Sequence, residues 1–99
     1  MILPGTPDSL LVIVPALNEE AAIGGVVREI HQHVPGVGVL VIDDCSSDST
    51  IAQAREAGAA VLPMPHHLGL GGCVQAGYKL AYELGFHYVI RVEIGRAHV

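Results

Sequence analysis

The chain has 99 residues, of which 51% are hydrophobic, so it can bury the core of one small domain and is too apolar to be disordered. Its formal net charge is −5 and its five Lys and Arg residues are scattered, which excludes the basic patch that nucleic acid binding requires. The two cysteines form no CxxC pair and no metal-ligand spacing, which indicates reduced thiols.

The start of the chain predicts a leader followed by a buried strand. Residues 1–9 contain two prolines and a glycine, and they lack the basic start and apolar core of a signal peptide. The apolar run at residues 10–14 predicts a short strand that ends at Pro15. No apolar run approaches the roughly 20 residues of a transmembrane helix.

A first helix is predicted after this strand. Asn18 is expected to cap it, with Glu19 and Glu20 favourably placed in its first turn. Apolar residues then recur at helical spacing as far as Val34, and Pro35 ends the pattern.

The second strand is the most informative part of the chain. Residues 37–42 are apolar without polar alternation, which is typical of a strand buried on both faces of a parallel sheet. Asp43 and Asp44 follow it directly, at the sheet edge where α/β proteins bind ligands. Because side chains alternate along a strand, one carboxylate can face a ligand while the other caps a turn or holds a neighbouring loop.

The rest of the chain continues the alternation of helices and strands. Ser46, Ser47 and Asp48 are expected to cap the next helix. The remaining predicted elements are a helix at 49–57, a strand at 59–62, a loop at 63–72, a helix at 73–84 and a strand at 88–92. The order β-α-β-α-β-α-β predicts an α/β, Rossmann-like parallel sheet with right-handed crossovers.

The loop before the third helix is rich in glycine. Gly69, Gly71 and Gly72 would let backbone N–H groups approach a phosphate at a helix N-terminus. This is not a dinucleotide fingerprint, because Val74 stands where a third small residue should be and the loop follows the third strand.

These motifs together resemble the nucleotide-binding half of family-two glycosyltransferases. The matching segments are LLVIVPALNEE, VLVIDDCSSDST and HHLGLGGCVQAGYKLA, within residues 10–92. The branch that they resemble most contains proteins similar to dolichol-phosphate mannose synthases and polyprenyl-phosphate sugar transferases. The resemblance implies the N-terminal part of a Rossmann-like domain called GT-A.

The resemblance also implies a site. Asp44 would contact the base with Asp43 beside it, and His67 replaces the asparagine usual in the family's glycine loop. The nucleotide-sugar-binding residues that it implies are Pro15, Ala16, Asn18, Glu19, Asp43, Asp44, His67, Gly69 and Gly71.

The chain departs from the family after its fourth strand. The family has Asp-x-Asp there, which binds Mg2+ or Mn2+ and the donor diphosphate. Here Glu93 marks the position of the first Asp and no second acid follows at the needed spacing. The resemblance therefore implies a metal for the full-length enzyme, but this truncated chain is expected to hold none well. The general base would also lie outside it, so the chain is expected to be inactive by itself.

The last seven residues are interpreted as a non-native tail. Residues 93–99, EIGRAHV, are what a string similar to the start of a common short-read sequencing adapter would encode. On this hypothesis only the first base of codon 93 is genuine, and that base is the G that an Asp codon requires.

The activity that the resemblance implies is transfer of a sugar from a nucleotide diphosphate donor, with polyprenyl phosphate at the membrane surface as a plausible acceptor. The protein would be cytoplasmic and, at full length, membrane-associated. The alternatives are a receiver-like signalling domain or another nucleotide-binding α/β module. A receiver places its acidic pair after the first strand and needs a later Asp, yet no Asp follows Asp48. A dinucleotide-binding dehydrogenase needs its glycine fingerprint after the first strand, where this chain has PALNEE.

Overall fold

A computed structural model describes residues 10–94, and the predicted leader and the end of the predicted tail lie outside them. The elements are β1 (Leu10–Ala16), α1 (Ile23–His33), β2 (Gly38–Asp43), α2 (Thr50–Glu56), β3 (Ala60–Pro63), α3 (Gly69–Glu83) and β4 (Tyr88–Arg91). The strands form one parallel sheet in the order β3-β2-β1-β4. The predicted α/β, Rossmann-like fold is confirmed.

The two central strands are buried on both faces, as their apolar runs predict. One face packs against α1 and α2, and the other packs against α3, because the connection from β3 to β4 crosses back over β2 and β1. The sheet residues in the first layer are Val12, Val14, Val39, Val41 and Val61. Those in the second layer are Leu11, Ile13, Leu40 and Ile42.

The prediction that β1 ends at Pro15 is wrong, because the strand continues to Ala16. The amide of Val92 donates to Ile13 O at 2.9 Å, so the backbone polar groups of Ile13 face β4. Since these groups alternate along a strand, the nitrogen of Pro15 also faces β4, where the ladder ends. Because proline has no N–H to donate, the pairing of β1 with β4 ends here. The pairing of β1 with β2 continues, with Pro15 opposite Ile42.

Two helices begin at residues that the sequence pattern does not predict. The cap of α1 is Ala22, without a side-chain hydrogen bond and with no acid in the first turn, so the predicted capping role of Asn18 is wrong. Asn18 instead has a φ of 52° and lies before the helix. The other helix, α3, begins at Gly69, four residues before the predicted start at Cys73, so the glycines form its first turn.

Within residues 10–94, every helix is too short or too polar to cross a membrane.

Close packing of α3 on the sheet generates a testable difference between two helical glycines. A Cβ at Gly77 would lie 2.8 Å from Cδ1 of Ile42 and 3.0 Å from Cδ1 of Ile13, whereas a Cβ at Gly25 in α1 would meet nothing within 4 Å. We expect Gly25→Ala to raise the free energy of unfolding by about 0.5–1 kcal/mol through helix propensity. Gly77→Ala should lower it by about 1 kcal/mol, because overpacking outweighs the same gain. Urea denaturation measures both, and stabilisation by Gly77→Ala would contradict this packing.

Candidate functional site

Three loops meet at the carboxyl edge of the parallel sheet. We call residues 17–22, after β1, the first loop, residues 44–49, after β2, the second loop, and residues 64–68, after β3, the third loop. Amide hydrogen bonds extend the strand pairing into them: Asp44 N donates to Ala16 O at 2.9 Å, and Met64 N donates to Asp43 O at 2.8 Å. The loops are therefore held side by side at the edge where α/β proteins bind ligands.

The side chain of Asp43 caps a turn on the α1/α2 face. It is 1% exposed. Its Oδ2 accepts from Ser46 N at 3.0 Å, and its Oδ1 accepts from Ser46 Oγ at 2.6 Å. This carboxylate is therefore satisfied within the second loop.

Asp44 points to the other face and binds the start of α3. Its Oδ1 accepts from Leu68 N at 2.7 Å, and its Oδ2 accepts from Gly69 N at 3.0 Å. His67 Nδ1 lies 2.7 Å from the same Oδ2. Gly69 has a φ of 78°, which glycine adopts without strain. Two N–H groups at this helix start, those of Leu68 and Gly69, thus hold a carboxylate, which caps α3 from outside the helix.

The charge states around Asp44 follow from this arrangement. Burial raises the pKa of the Asp44 carboxyl, but the amides of Leu68 and Gly69, the Cys73 thiol and the charge of His67 together hold its pKa below the usual 3.8. Burial, followed by the nearby Asp44 charge, raises the pKa of the Cys73 thiol to about 11. At neutral pH the site therefore contains an ionised carboxylate and, beside it, a protonated thiol.

A pocket of about 210 Å³ opens beside Asp44, between the first loop and the start of α3. Its lining residues are Pro15, Ala16, Leu17, Asp44, His67, Gly69, Leu70 and Cys73. The walls are mainly apolar, and the polar groups are concentrated at Asp44 and His67. Because ligand pockets for drug-sized molecules span roughly 300–1,000 Å³, this one has room for part of a nucleotide. An apolar slot with a carboxylate acceptor suits a planar ring that carries an N–H donor.

The pocket brings together five of the residues that the resemblance implies, namely Pro15, Ala16, Asp44, His67 and Gly69. It also contains three that sequence reasoning missed: Leu17, Leu70 and Cys73. Leu17 and Leu70 are 42% and 51% exposed. Their signal in the sequence is position alone, because each is a large apolar residue in a polar or glycine-rich loop next to an implied site residue.

Asn18, by contrast, binds the second loop. Its amide N donates to Ser46 Oγ at 2.9 Å, and its Oδ1 accepts from Ser47 N at 2.8 Å. The prediction that Ser46 and Ser47 cap α2 is therefore wrong, because both residues instead bind the first loop. Glu19, Asp43 and Gly71 also lie outside the pocket lining.

The described residues do not fit a divalent-metal site. No three His, Cys, Asp or Glu side chains between residues 10 and 94 are grouped so that they could hold an ion. Glu93, at the position of the expected first Asp, places its Oε2 3.2 Å from Nε of Arg91, and both side chains are partly exposed.

The capping role of Asp44 predicts acid sensitivity. The pKa values of Asp44 and Asp48 lie below 3.8 in the folded protein. The folded state therefore binds fewer protons than the unfolded chain near this pH, so the stability from both groups is present above about pH 4 and is lost as the pH falls through their folded-state pKa values. We expect urea unfolding to show this decline, and Asp44→Asn to make it shallower. Glu56→Gln, on the exposed side of α2, serves as the control, and equal declines in all three proteins would contradict this role.

The two thiols should differ in reactivity. Cys45 is exposed, whereas Cys73 is 1% exposed and has a raised pKa. We expect a disulfide reagent at about pH 8 to modify Cys45 quickly and Cys73 only upon unfolding, because the thiolate is the nucleophile. Cys45→Ser should abolish the fast phase, and a fast phase that persists in this variant would contradict the buried placement of Cys73.

Comparisons with known proteins show which family the chain belongs to. The family described as "Glycosyl transferase family 2" matches residues 11–91. Polyprenol monophosphomannose synthase of Mycolicibacterium smegmatis is 31% identical over 94 residues, which is 89% of this chain and 36% of that protein. Undecaprenyl-phosphate mannosyltransferase of Micrococcus luteus is 32% identical over 95 residues, which is 90% of this chain and 39% of that protein. The chain thus spans little more than a third of the length of these relatives.

Solved structures extend the likeness to the fold. Glucosyl-3-phosphoglycerate synthase from Mycobacterium tuberculosis, in complex with Mn2+, UDP and glucosyl-3-phosphoglycerate, matches with a TM-score of 0.71 and 29% identity over 87% of this chain and 33% of that one. The same enzyme with Mg2+ and UDP gives 0.70 and 30% over the same shares. These neighbours are GT-A glycosyltransferases, so the predicted fold class is confirmed. The chain belongs to glycosyl transferase family 2, a family of enzymes that transfer sugars.

Proposed function

We propose that residues 10–92 form the donor-binding half of a glycosyltransferase and that the pocket beside Asp44 receives the base and ribose of a nucleotide diphosphate-sugar. The observation that carries this proposal is the position of the pocket. It lies at the carboxyl edge of the sheet, between the first loop and the start of α3, with an ionised carboxylate in its wall.

The base would lie between the apolar side chains of Leu17 and Leu70, and a ring N–H would donate to Asp44. Three donors of the protein already meet this carboxylate: the amides of Leu68 and Gly69 and Nδ1 of His67. Because Asp44 is only 4% exposed, a base N–H reaches it by replacing one of these donors. His67 is the one that can leave, because its side chain is 63% exposed.

The burial of both acidic residues supports this proposal over a receiver-like domain. Asp43 and Asp44 are 1% and 4% exposed, and both are hydrogen-bonded within the chain. Both carboxylates thus have partners within the chain, and the later Asp that a receiver also needs is not found between Asp48 and residue 94.

For the whole enzyme we propose a polyprenyl phosphate acceptor at the cytoplasmic membrane face. The names of two relatives, a polyprenol monophosphomannose synthase and an undecaprenyl-phosphate mannosyltransferase, support this choice. A divalent metal is proposed because solved relatives are in complex with Mn2+ or Mg2+. Since residues 10–94 do not fit such an ion, the metal would need other ligands, and this chain by itself would be inactive. Residues 93–99 would be replaced by native sequence in the parent enzyme.

Calorimetric titration of the 99-residue chain with UDP and with GDP tests the donor pocket. We expect binding of at least one of them, and a loss of about tenfold in affinity in Asp44→Asn, because a hydrogen bond to a charged group contributes about 1.5–3 kcal/mol. Glu83→Gln, at the far end of α3, is the charge-matched control and should bind like the original chain. Thermal melting of each variant checks that it is folded. Absence of binding of both nucleotides, or equal affinities for Asp44→Asn and the original chain, would contradict the proposal.

Recovery of the parent reading frame allows the second test. The complete protein should transfer sugar from GDP-mannose or UDP-glucose to polyprenyl phosphate in the presence of Mg2+ or Mn2+. Hydrolysis of the donor without sugar transfer to polyprenyl phosphate, or no reaction at all, would contradict the proposed acceptor. A genomic reading frame that continues through residues 93–99 unchanged would contradict the non-native tail.

A further inference from the structure

A buried hydroxyl connects the first loop to the second. Thr50, the first residue of α2, is 0% exposed. Its Oγ1 accepts a hydrogen bond from Glu19 N at 2.8 Å and donates one to Oδ1 of Asp48. The same Oδ1 accepts from Thr50 N at 2.9 Å, and Oδ2 accepts from Glu20 N at 3.2 Å. Thr50 and Asp48 together therefore bind two successive backbone N–H groups of the first loop.

The direction of these hydrogen bonds is fixed by charge. The hydroxyl of Thr50 holds the pKa of Asp48 below the usual 3.8, so this carboxylate is ionised at neutral pH and only accepts. The hydroxyl must therefore donate its single proton to Asp48, which leaves a lone pair for the amide of Glu19. Neither Val nor Ala at position 50 could provide both bonds.

This connection matters because neither a strand nor a helix supports the first loop beside the pocket, so hydrogen bonds to residues 46–50 hold it in place. The helix α1 begins only at Ile23, so the amides of Glu19 and Glu20 find their partners at the start of α2 and in the second loop, respectively. At the other end, Ala16 O accepts from Asp44 N. The pocket wall at Leu17 therefore lies between the attachment at Ala16 and the attachments at residues 18–20, and Leu17 is 42% exposed rather than buried in the core.

We propose that Thr50 is a positioning residue of the nucleotide pocket. Its hydroxyl, oriented by Asp48, fixes the amide of Glu19 and through it the backbone that carries Leu17. The ligand class concerned is the nucleoside diphosphate, so this inference rests on the proposed function. Thr50 does not line the pocket, and it acts entirely through the first loop.

The test compares Thr50→Val, which keeps the branched shape and removes the hydroxyl, with Thr50→Ser, which keeps the hydroxyl. Amide hydrogen exchange at Glu19 and Glu20 is measured by NMR, and affinity for UDP and GDP is measured by calorimetry. We expect Thr50→Val to speed exchange at Glu19 about tenfold and to weaken nucleotide binding about tenfold, the loss that corresponds to one hydrogen bond. Thr50→Ser should keep both the exchange rate at Glu19 and the nucleotide affinity close to those of the original chain.

Val39→Ala, in the buried centre of β2 and away from the loops, is the control for general destabilisation. It should lower the free energy of unfolding without a selective change at Glu19 and without a change in nucleotide affinity. If Thr50→Val does not fold, Asp48→Asn replaces it, because the amide keeps the shape and weakens the acceptor for Thr50 and Glu20.

The possible results separate the two proposals. If the original chain binds neither UDP nor GDP, the proposed function fails, and hydrogen exchange alone decides whether Thr50 holds the first loop. If nucleotides bind, unchanged affinity in Thr50→Val, or an equal loss in Thr50→Ser, overturns the positioning role. Faster exchange throughout the chain in Thr50→Val, as in Val39→Ala, also overturns it.

Discussion

The arrangement of the whole carboxyl edge depends on the contact between the Asp44 carboxylate and the N-terminus of α3. A helix N-terminus has amides without partners and favours an anion, and a buried carboxylate needs donors. Each satisfies the other here, since Asp44 is 4% exposed and Leu68 and Gly69 donate to it. Without this contact, the end of β2 would bury an uncompensated charge, at a cost of several kcal/mol. The contact also fixes α3 beside the first loop, and that placement creates the pocket.

The same contact determines which part of a donor the proposed pocket can take. At the start of α3, the amides of Leu68 and Gly69 are already bound to Asp44, so at these two N–H groups a carboxylate of the protein takes the place that an anion of a ligand could take. The group that suits this pocket is instead a ring donor that exchanges with His67, whose side chain is 63% exposed. Because Asp44 is held in place before any ligand arrives, such an exchange requires little reordering of the backbone. The ligand part that we propose for this pocket is therefore the nucleoside end of a nucleotide-sugar, because a ring donor suits an ionised carboxylate better than a phosphate does.

The sequence was sufficient to predict the sheet and the pair of acidic residues at the end of β2, because both depend on local patterns. Apolar runs identified the strands, and period-two alternation predicted that Asp43 and Asp44 would diverge. The helix starts could not be predicted in this way, because the partners that decide them are distant in the chain. Asp44 caps α3 from 25 residues before Gly69, and Thr50 binds Glu19 across 31 residues. Glycine propensity indicated a loop at residues 69–72, and a tertiary hydrogen bond reversed that preference.

In the first loop, the residues that line the pocket differ from the residues that hold the loop in place, and this difference has one physical cause. The amides of Asn18, Glu19 and Glu20 lie between the end of β1 and the start of α1, so neither a strand nor a helix satisfies them. Polar side chains of the second loop and of the first residue of α2 accept from all three: Ser46, Thr50 and Asp48 in that order. Residues that a motif comparison assigns to ligand binding are therefore occupied in holding the loop. What remains free to meet a ligand is the apolar wall at Ala16 and Leu17 and the exchangeable partner of Asp44. Specificity for a ligand would accordingly come from these few groups, on a first loop whose backbone is held in place by hydrogen bonds to residues 46–50.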